Sequence, residues 1–311
     1  MAETLDDHTG FAPDNDQPIQ YMARTRAYYD AIGYTTPYRW AHYSSAPFQP
    51  LRKPLAKSRV TIITTAAPFD PTKGDQGPGA TYNGGAKFYS VYDGDTSKDH
   101  DLRISHIAYD RVHTTADDSG TWFPLPQLIR ASAAGRIGEV APRFFGAPTN
   151  RSHRVTIETD APDILARCKA DDIDAAVLVP NCPVCHQTVS LVARHLEANG
   201  ISTVVMGCAK DIVEHAAVPR FLFSDFPLGN SAGKPHDKDS QALTLELALR
   251  LLEAAPGPQT TMQSPLRWSA DASWKRDYNN IETMSAEELA RRRREFDAQK
   301  QAARSVRESA A

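Results

Sequence analysis

Apolar positions along this chain alternate between short continuous runs and helical spacings. Residues 175–180 form a short apolar run, the pattern of a strand covered on both faces. Val189, Val192, Ala193 and Leu196 then recur at i, i+3, i+4 and i+7, which is one face of a helix. A further apolar run at 201–206 completes a β–α–β spacing suited to a parallel crossover. Residues 59–65 (RVTIITT) are β-branched and read as the first core strand. Similar patterns predict strands at 101–107, 137–145, 155–159 and 220–224. Helical spacing marks 21–32, 124–134, 163–170, 211–217 and 239–253, and the capping box Ser285-Ala-Glu-Glu288 opens a last helix to about Arg304. The fold class that follows is α/β, with a mostly parallel sheet or sheets and flanking helices. The chain divides into an N-terminal arm and wrap (1–57), an α/β core (58–255) and a linker with a C-terminal helix (256–311). One large core and two Rossmann-like halves, 58–150 and 151–255, both fit the pattern.

Composition narrows the setting. The 311 residues are 41% hydrophobic with net charge −3, ample for a large core and unsuited to nucleic acid or an anionic membrane. No apolar run approaches the roughly 20 residues of a membrane span. The start, MAETLDDHTG, lacks a signal peptide's basic start and apolar core, so a cytoplasmic location is expected. Four cysteines are no disulfide framework.

Two of those cysteines lie between the strand and the helix, in Cys182-Pro-Val-Cys185-His186. That is the C-terminal edge of the strand, where α/β sheets bind ligands. A thiol at a helix N-terminus feels the positive dipole end, which lowers its pKa, and a thiol three residues on can resolve it as a disulfide. A zinc half-site completed by Cys208, His195 or His215, a haem attachment, and small residues packing a turn are the other readings of the motif. Cys208 follows the next strand and would face the same crevice; Cys182 and Cys208 across one substrate would suit a cofactor-independent racemase. His106, Asp110, His113, Asp117 and Asp118 cluster in one strand-to-loop region, with His106 and His113 as candidate proton donors. Thr65, Asp110, Asn181, Cys208 and Asp225 are the substrate-binding candidates. If a metal is present, Cys182, Cys185 and Cys208 are its candidate ligands.

Several segments, in order, resemble the selenoprotein B family of glycine, sarcosine, betaine and D-proline reductases. They are PLRKPLAKSRV at 50–60 leading into ITTAA, Ser105-His106-Ile-Ala-Tyr-Asp110, FPLPQL at 123–128, Gly135-Arg-Ile-Gly138, residues 174–200, and Pro227-Leu-Gly229. The resemblance covers roughly residues 51–253 and places Cys182 where those enzymes carry selenocysteine and Cys185 on the cysteine three residues later. It places Thr188 where some members have a further cysteine. It implies thiolate attack by Cys182 on a small amino-acid-derived substrate, release by Cys185 as a disulfide, and reset by an external dithiol reductant. It also implies a partner subunit carrying a pyruvoyl group, a carbonyl this chain does not supply. A homo-oligomer is expected as well. A stand-alone desulfhydrase, cleaving C–S bonds in a thioxo or thiol-bearing heterocycle with or without a divalent metal, fits the absence of selenocysteine and of the pyruvoyl group at least as well.

Overall fold

A computed structural model describes residues 17–149 and 151–309, so most of the polar N-terminal arm lies outside the described residues. Eight strands form one mixed, mostly parallel sheet with helices on both faces, an α/β architecture. The strands are β1 (Arg59–Thr64), β3 (Tyr92–Asp95), β5 (Glu139–Val140), β6 (Arg143–Gly146), β7 (Ala175–Val179), β8 (Ser202–Gly207), β9 (Arg220–Phe223) and β10 (Thr260–Gln263). Their order is β10-β9-β8-β7-β1-β6-β3, with β5 also paired to β1. Only β3 runs antiparallel, against β6. Strands from both the 58–150 and the 151–255 segments join this one sheet. Two further strands, β2 (Ala67–Pro68) and β4 (Leu102–Arg103), form a separate antiparallel pair.

Strand alternation separates two cores. Val60, Ile62, Val177, Val179, Val204, Met206 and Leu222 face one side, where α2 (Leu125–Ala133) and α6 (Lys238–Ala254) cover them. Ile63, Ala176, Leu178, Val205, Phe221 and Phe223 face the other, under α3 (Ala161–Ala170), α4 (Pro183–Ala198) and α5 (Lys210–His215). Burying each such Val, Leu, Ile or Phe side chain contributes about 1.5–3 kcal/mol. The 34–58 wrap runs outside this body, with Tyr38 against Trp40 and Phe48 beneath the Arg220 guanidinium.

Three expectations are corrected. Residues 155–159 are helical, a π-type turn between a Ser152-capped turn and α3. Thr156, Asp160, Ile164 and Cys168 are all buried, and this spacing of four is a helix face that overrides the β-branched composition. The stretch 256–264, read as linker, contains β10, which pairs in parallel with β9 through four residues. Of 101–107 only Leu102–Arg103 is strand, and the rest is loop.

The first helix, α1 (Tyr21–Ala31), and the last, α7 (Ala286–Ser309), pack against each other outside the sheet, with Phe296 between Tyr29 and Tyr34. Ser285 Oγ accepts from the Glu288 N–H at 3.2 Å, the cap its sequence announces. Gln299 and Ala303 of α7 hold the 84–89 loop by accepting from Gly84 N–H at 2.7 Å and the Tyr89 hydroxyl at 2.9 Å.

At the opposite edge from the strand C-termini lies a buried ion pair. Arg220 Nη1 donates to Glu197 Oε1 at 2.7 Å, and that carboxylate oxygen also accepts from the Thr203 hydroxyl at 2.9 Å. Removing one partner leaves an uncompensated buried charge. Arg220→Met is therefore expected to lower unfolding free energy by about 3–5 kcal/mol in urea denaturation, and adding Glu197→Gln should recover a large part of it.

Candidate active site

The sheet reverses its winding between β1 and β7. From β1 the chain moves outward to β6, whereas β7, β8, β9 and β10 build the other way. The crevice outside the C-terminal ends at such a switch point is where open α/β sheets bind ligands. Thr65 follows β1, Asn181 and Cys182 follow β7, Thr149 follows β6, and Cys208 follows β8.

Cys182 is the N-cap of α4, with Pro183 at the first helical position. Its sulfur accepts from the Cys185 N–H at 3.2 Å, an otherwise unpaired helix-start donor. The Thr149 hydroxyl donates to Cys185 Sγ at 3.4 Å. His106 reaches the same place from the 104–114 loop: one ring nitrogen and both sulfurs lie within 4.8 Å of one another. Its Nε2 donates to the Thr65 carbonyl at 3.0 Å, which tethers the imidazole to the end of β1. Thr65 Oγ1 in turn accepts from Asn181 N–H at 3.2 Å. The Asn181 side-chain amide is fully buried, and neither its oxygen nor its nitrogen has a partner. An unpaired buried amide is costly, so this group is a candidate to meet a ligand.

Both sulfurs are buried, Cys182 at 5% exposure and Cys185 at 0%. Burial pushes the Cys182 thiol well above its ordinary range, and its hydrogen bond to Cys185 adds to this. Burial opposes ionisation of Cys185 too. There, however, the hydrogen bond from Cys182, the His106 imidazole and the Thr149 hydroxyl win, holding it well below the usual thiol range. The imidazole and hydroxyl that favour a thiolate converge on the second sulfur, whereas Cys182 receives the backbone N–H at the helix start.

His186, the residue after the pair, organises the turn. Its Nδ1 donates to the Cys182 carbonyl at 2.8 Å, and its Nε2 accepts from Cys208 N–H at 2.9 Å and Ala209 N–H at 3.2 Å. These contacts require the neutral Nδ1–H tautomer, and burial lowers its pKa to about 4. With both nitrogens engaged, His186 ties the β7 turn to the β8 turn and cannot serve as an axial ligand. Sequence reasoning noticed His186 only as part of a haem pattern; its spacing of four from the N-cap, on the buried face of α4, is the signal it offered. Thr149 had no sequence signal.

The other candidates are placed elsewhere. Cys208 sits in an apolar cluster with Ile212, Phe226 and Trp274, its thiol pushed up to about 12 by burial. His106, not Cys208, completes the group of three ligand atoms that lie within 4.8 Å of one another. His113 is held by the Asp110 carboxylate, Nδ1 to Oδ2 at 3.0 Å, with Asp277 3.4 Å from Nε2. Asp110 is thereby occupied, and its N–H donates to Leu228 O at 3.0 Å, joining the 104–114 loop to Pro227-Leu-Gly229. Gly229 has φ +110°, and a Cβ there would strike the Tyr109 ring, so this junction requires glycine. Asp225 is ion-paired with Lys275. Asp117 pairs with His236, and Asp118 receives the Gln241 amide.

Comparison with known proteins places this site in context. The chain is 25% identical over 223 residues to the D-proline reductase subunit gamma of Acetoanaerobium sticklandii, covering 71% of this chain and 89% of that protein. It is 23% identical over 236 residues to the glycine reductase complex component B subunit gamma of Symbiobacterium thermophilum, covering 72% and 52%. The Carboxydothermus hydrogenoformans subunit of the same name is 23% identical over 225 residues, covering 71% and 51%. The match thus spans about half the length of the two glycine reductase subunits. No protein-family model and no solved structure matches the chain. No helix among the described residues is long and apolar enough to cross a membrane.

Two outcomes follow from the geometry. Thiol alkylation by iodoacetamide should persist below the ordinary thiol pKa of about 8.5 and fall as pH drops through the lowered value. Cys185→Ser should shift that profile upward, since only the raised Cys182 thiol remains; an unshifted profile would contradict the assignment. Gly207→Ala would place a Cβ 2.8 Å from the His186 ring, which three hydrogen bonds hold in place. It is expected to cost about 1–3 kcal/mol of stability and to slow alkylation.

Proposed function

We propose that this chain, similar to the D-proline reductase and glycine reductase component B gamma subunits, is a thiol-dependent reductase of that family acting on a small amino-acid-derived substrate. The observation that carries this reading is the buried Cys182–Cys185 pair beside His106 at the switch point of the sheet. Cys182 holds the small accessible surface of the pair and makes the attack, passing its proton to Cys185 as it does so. Its sulfur displaces the amine from carbon, and the departing nitrogen takes a proton from His106. The Cys185 sulfur then attacks the Cys182 sulfur, the C–S bond breaks, and the proton that Cys185 had taken passes to the carbon. One C–N bond has become C–H and N–H, and two thiols have become a disulfide. An external dithiol returns the two electrons and two protons. A partner subunit bearing the pyruvoyl group that the resemblance implies would supply a carbonyl where the substrate needs activation, and a reducing cytoplasm suits such a pair.

A second reading is favoured by one observation: His106, Cys182 and Cys185 offer three ligand atoms at separations a tetrahedral metal accepts. A metal there would leave room for a fourth ligand, as in sites of two thiolates and one imidazole. In that case the chain is a stand-alone desulfhydrase on a thioxo or thiol-bearing heterocycle.

Assays of amine and sulfide release separate the two. The reductase reading expects turnover only with dithiol, lost by a factor on the order of 10³ or more in Cys182→Ser and Cys185→Ser. Full turnover without any reductant overturns it. Sulfide release from thioxo heterocycles by the single chain, abolished by chelation and restored by a divalent metal, establishes the second reading instead.

A further inference from the structure

Arg151 sits just after Thr149 in the loop that follows β6, and three observations make it unusual. Its φ is +62°, a conformation that non-glycine residues rarely hold without support. Its guanidinium lies over two aromatic rings, Tyr29 at 5.5 Å and Tyr38 at 5.6 Å from their centroids. Nearby Arg154 pairs with Glu158 at 3.3 Å, but no carboxylate among the described residues pairs with Arg151.

Arg151 lines two clefts at once, one of about 750 Å³ and one of about 470 Å³. The larger also presents Arg39, Trp40 and Lys300, and its single acid, Asp30, is paired with Arg26 at 3.7 Å. The smaller presents Lys87 and Arg307, and its single acid, Glu308, is paired with Arg304 at 2.8 Å. In a chain of net charge −3 this is a local excess of unpaired cations. Low-dielectric walls concentrate such a field. The basin adjoins the thiols through the loop after β6: Thr149, two residues before Arg151, donates to Cys185 Sγ at 3.4 Å.

We propose that Arg151 is the specificity-determining residue of this site, receiving the carboxylate of a net-anionic substrate and directing its reacting end to Cys182. Among the described residues the clefts offer no free carboxylate to receive an ammonium group. The substrate class is therefore an organic acid with a planar or aromatic flank and no free amine, rather than a zwitterionic amino acid. This rests on the thiol site proposed above and narrows its substrate. The fork of the guanidinium suits a carboxylate, and the flanking rings suit a planar body.

Equilibrium binding of three probes of one carbon frame tests this: phenylacetate, phenylacetamide and phenylglycine, followed by tryptophan fluorescence. Wild type should bind phenylacetate about tenfold more tightly than the other two, the ratio one charge-assisted contact gives. Arg151→Met should bring the three to within about twofold, and Arg151→Lys should restore part of the preference. Equal affinities in wild type, or no detectable binding of any probe, overturn the proposal; so does an undiminished preference in Arg151→Met. Iodoacetamide labelling of the same preparations reports the thiols separately. Inert thiols with a retained phenylacetate preference would remove the reaction proposed above and leave the anion site standing.

Discussion

The neutral imidazole of His186 is the interaction on which the catalytic edge depends. It donates to the carbonyl of one strand-end turn and accepts from two N–H groups of the next. Those turns would otherwise leave buried polar backbone unsatisfied. Closing them with one rigid ring fixes Cys182 as the N-cap of α4, and therefore fixes where Cys185 falls one turn later. Gly207 allows this, because the ring occupies the space a side chain there would need. The residue contributes no proton and no ligand; it holds the frame in which the sulfurs meet.

With that frame set, the chemistry turns on an imbalance between two similar atoms. Both thiols are removed from water, which disfavours charge on each. One receives an imidazole and a hydroxyl in addition to its neighbour; the other receives a backbone N–H and keeps the small exposed surface of the pair. Charge and access are thus divided between the sulfurs. In the proposed reaction a proton passed between them over a short distance unites the two properties in one atom, and the thiolate need not survive in solvent between turnovers.

Much of the scaffold was readable from the chain. Continuous apolar runs identified β1, β7, β8 and β9, and the i, i+3, i+4 spacing identified α4 and α6, because a two-faced sheet demands those patterns. Residues 155–159 misled, since β-branched side chains were tolerated on a helix whose buried face was set by Thr156 and Asp160. The cysteine pair was legible through its place between strand and helix. The rest of the site was not, for a topological reason. His106 and Thr149 arrive from loops whose endpoints are set by strand order, and nothing local announces that order. His113 looked equivalent to His106 in sequence; Asp110 and Asp277 hold it elsewhere.

The seating of α7 has a consequence of its own. Phe296 and Lys300 belong to both clefts, and Gln299 and Ala303 clasp the loop that ends in Lys87 and Tyr89. One wall of the chamber is thus contributed by α7, while the others come from α1, the wrap, the 82–89 loop and the loop after β6. Divergence confined to the last few dozen residues could re-tailor what the chamber admits without disturbing a single core strand, so substrate range and fold stability are free to drift separately.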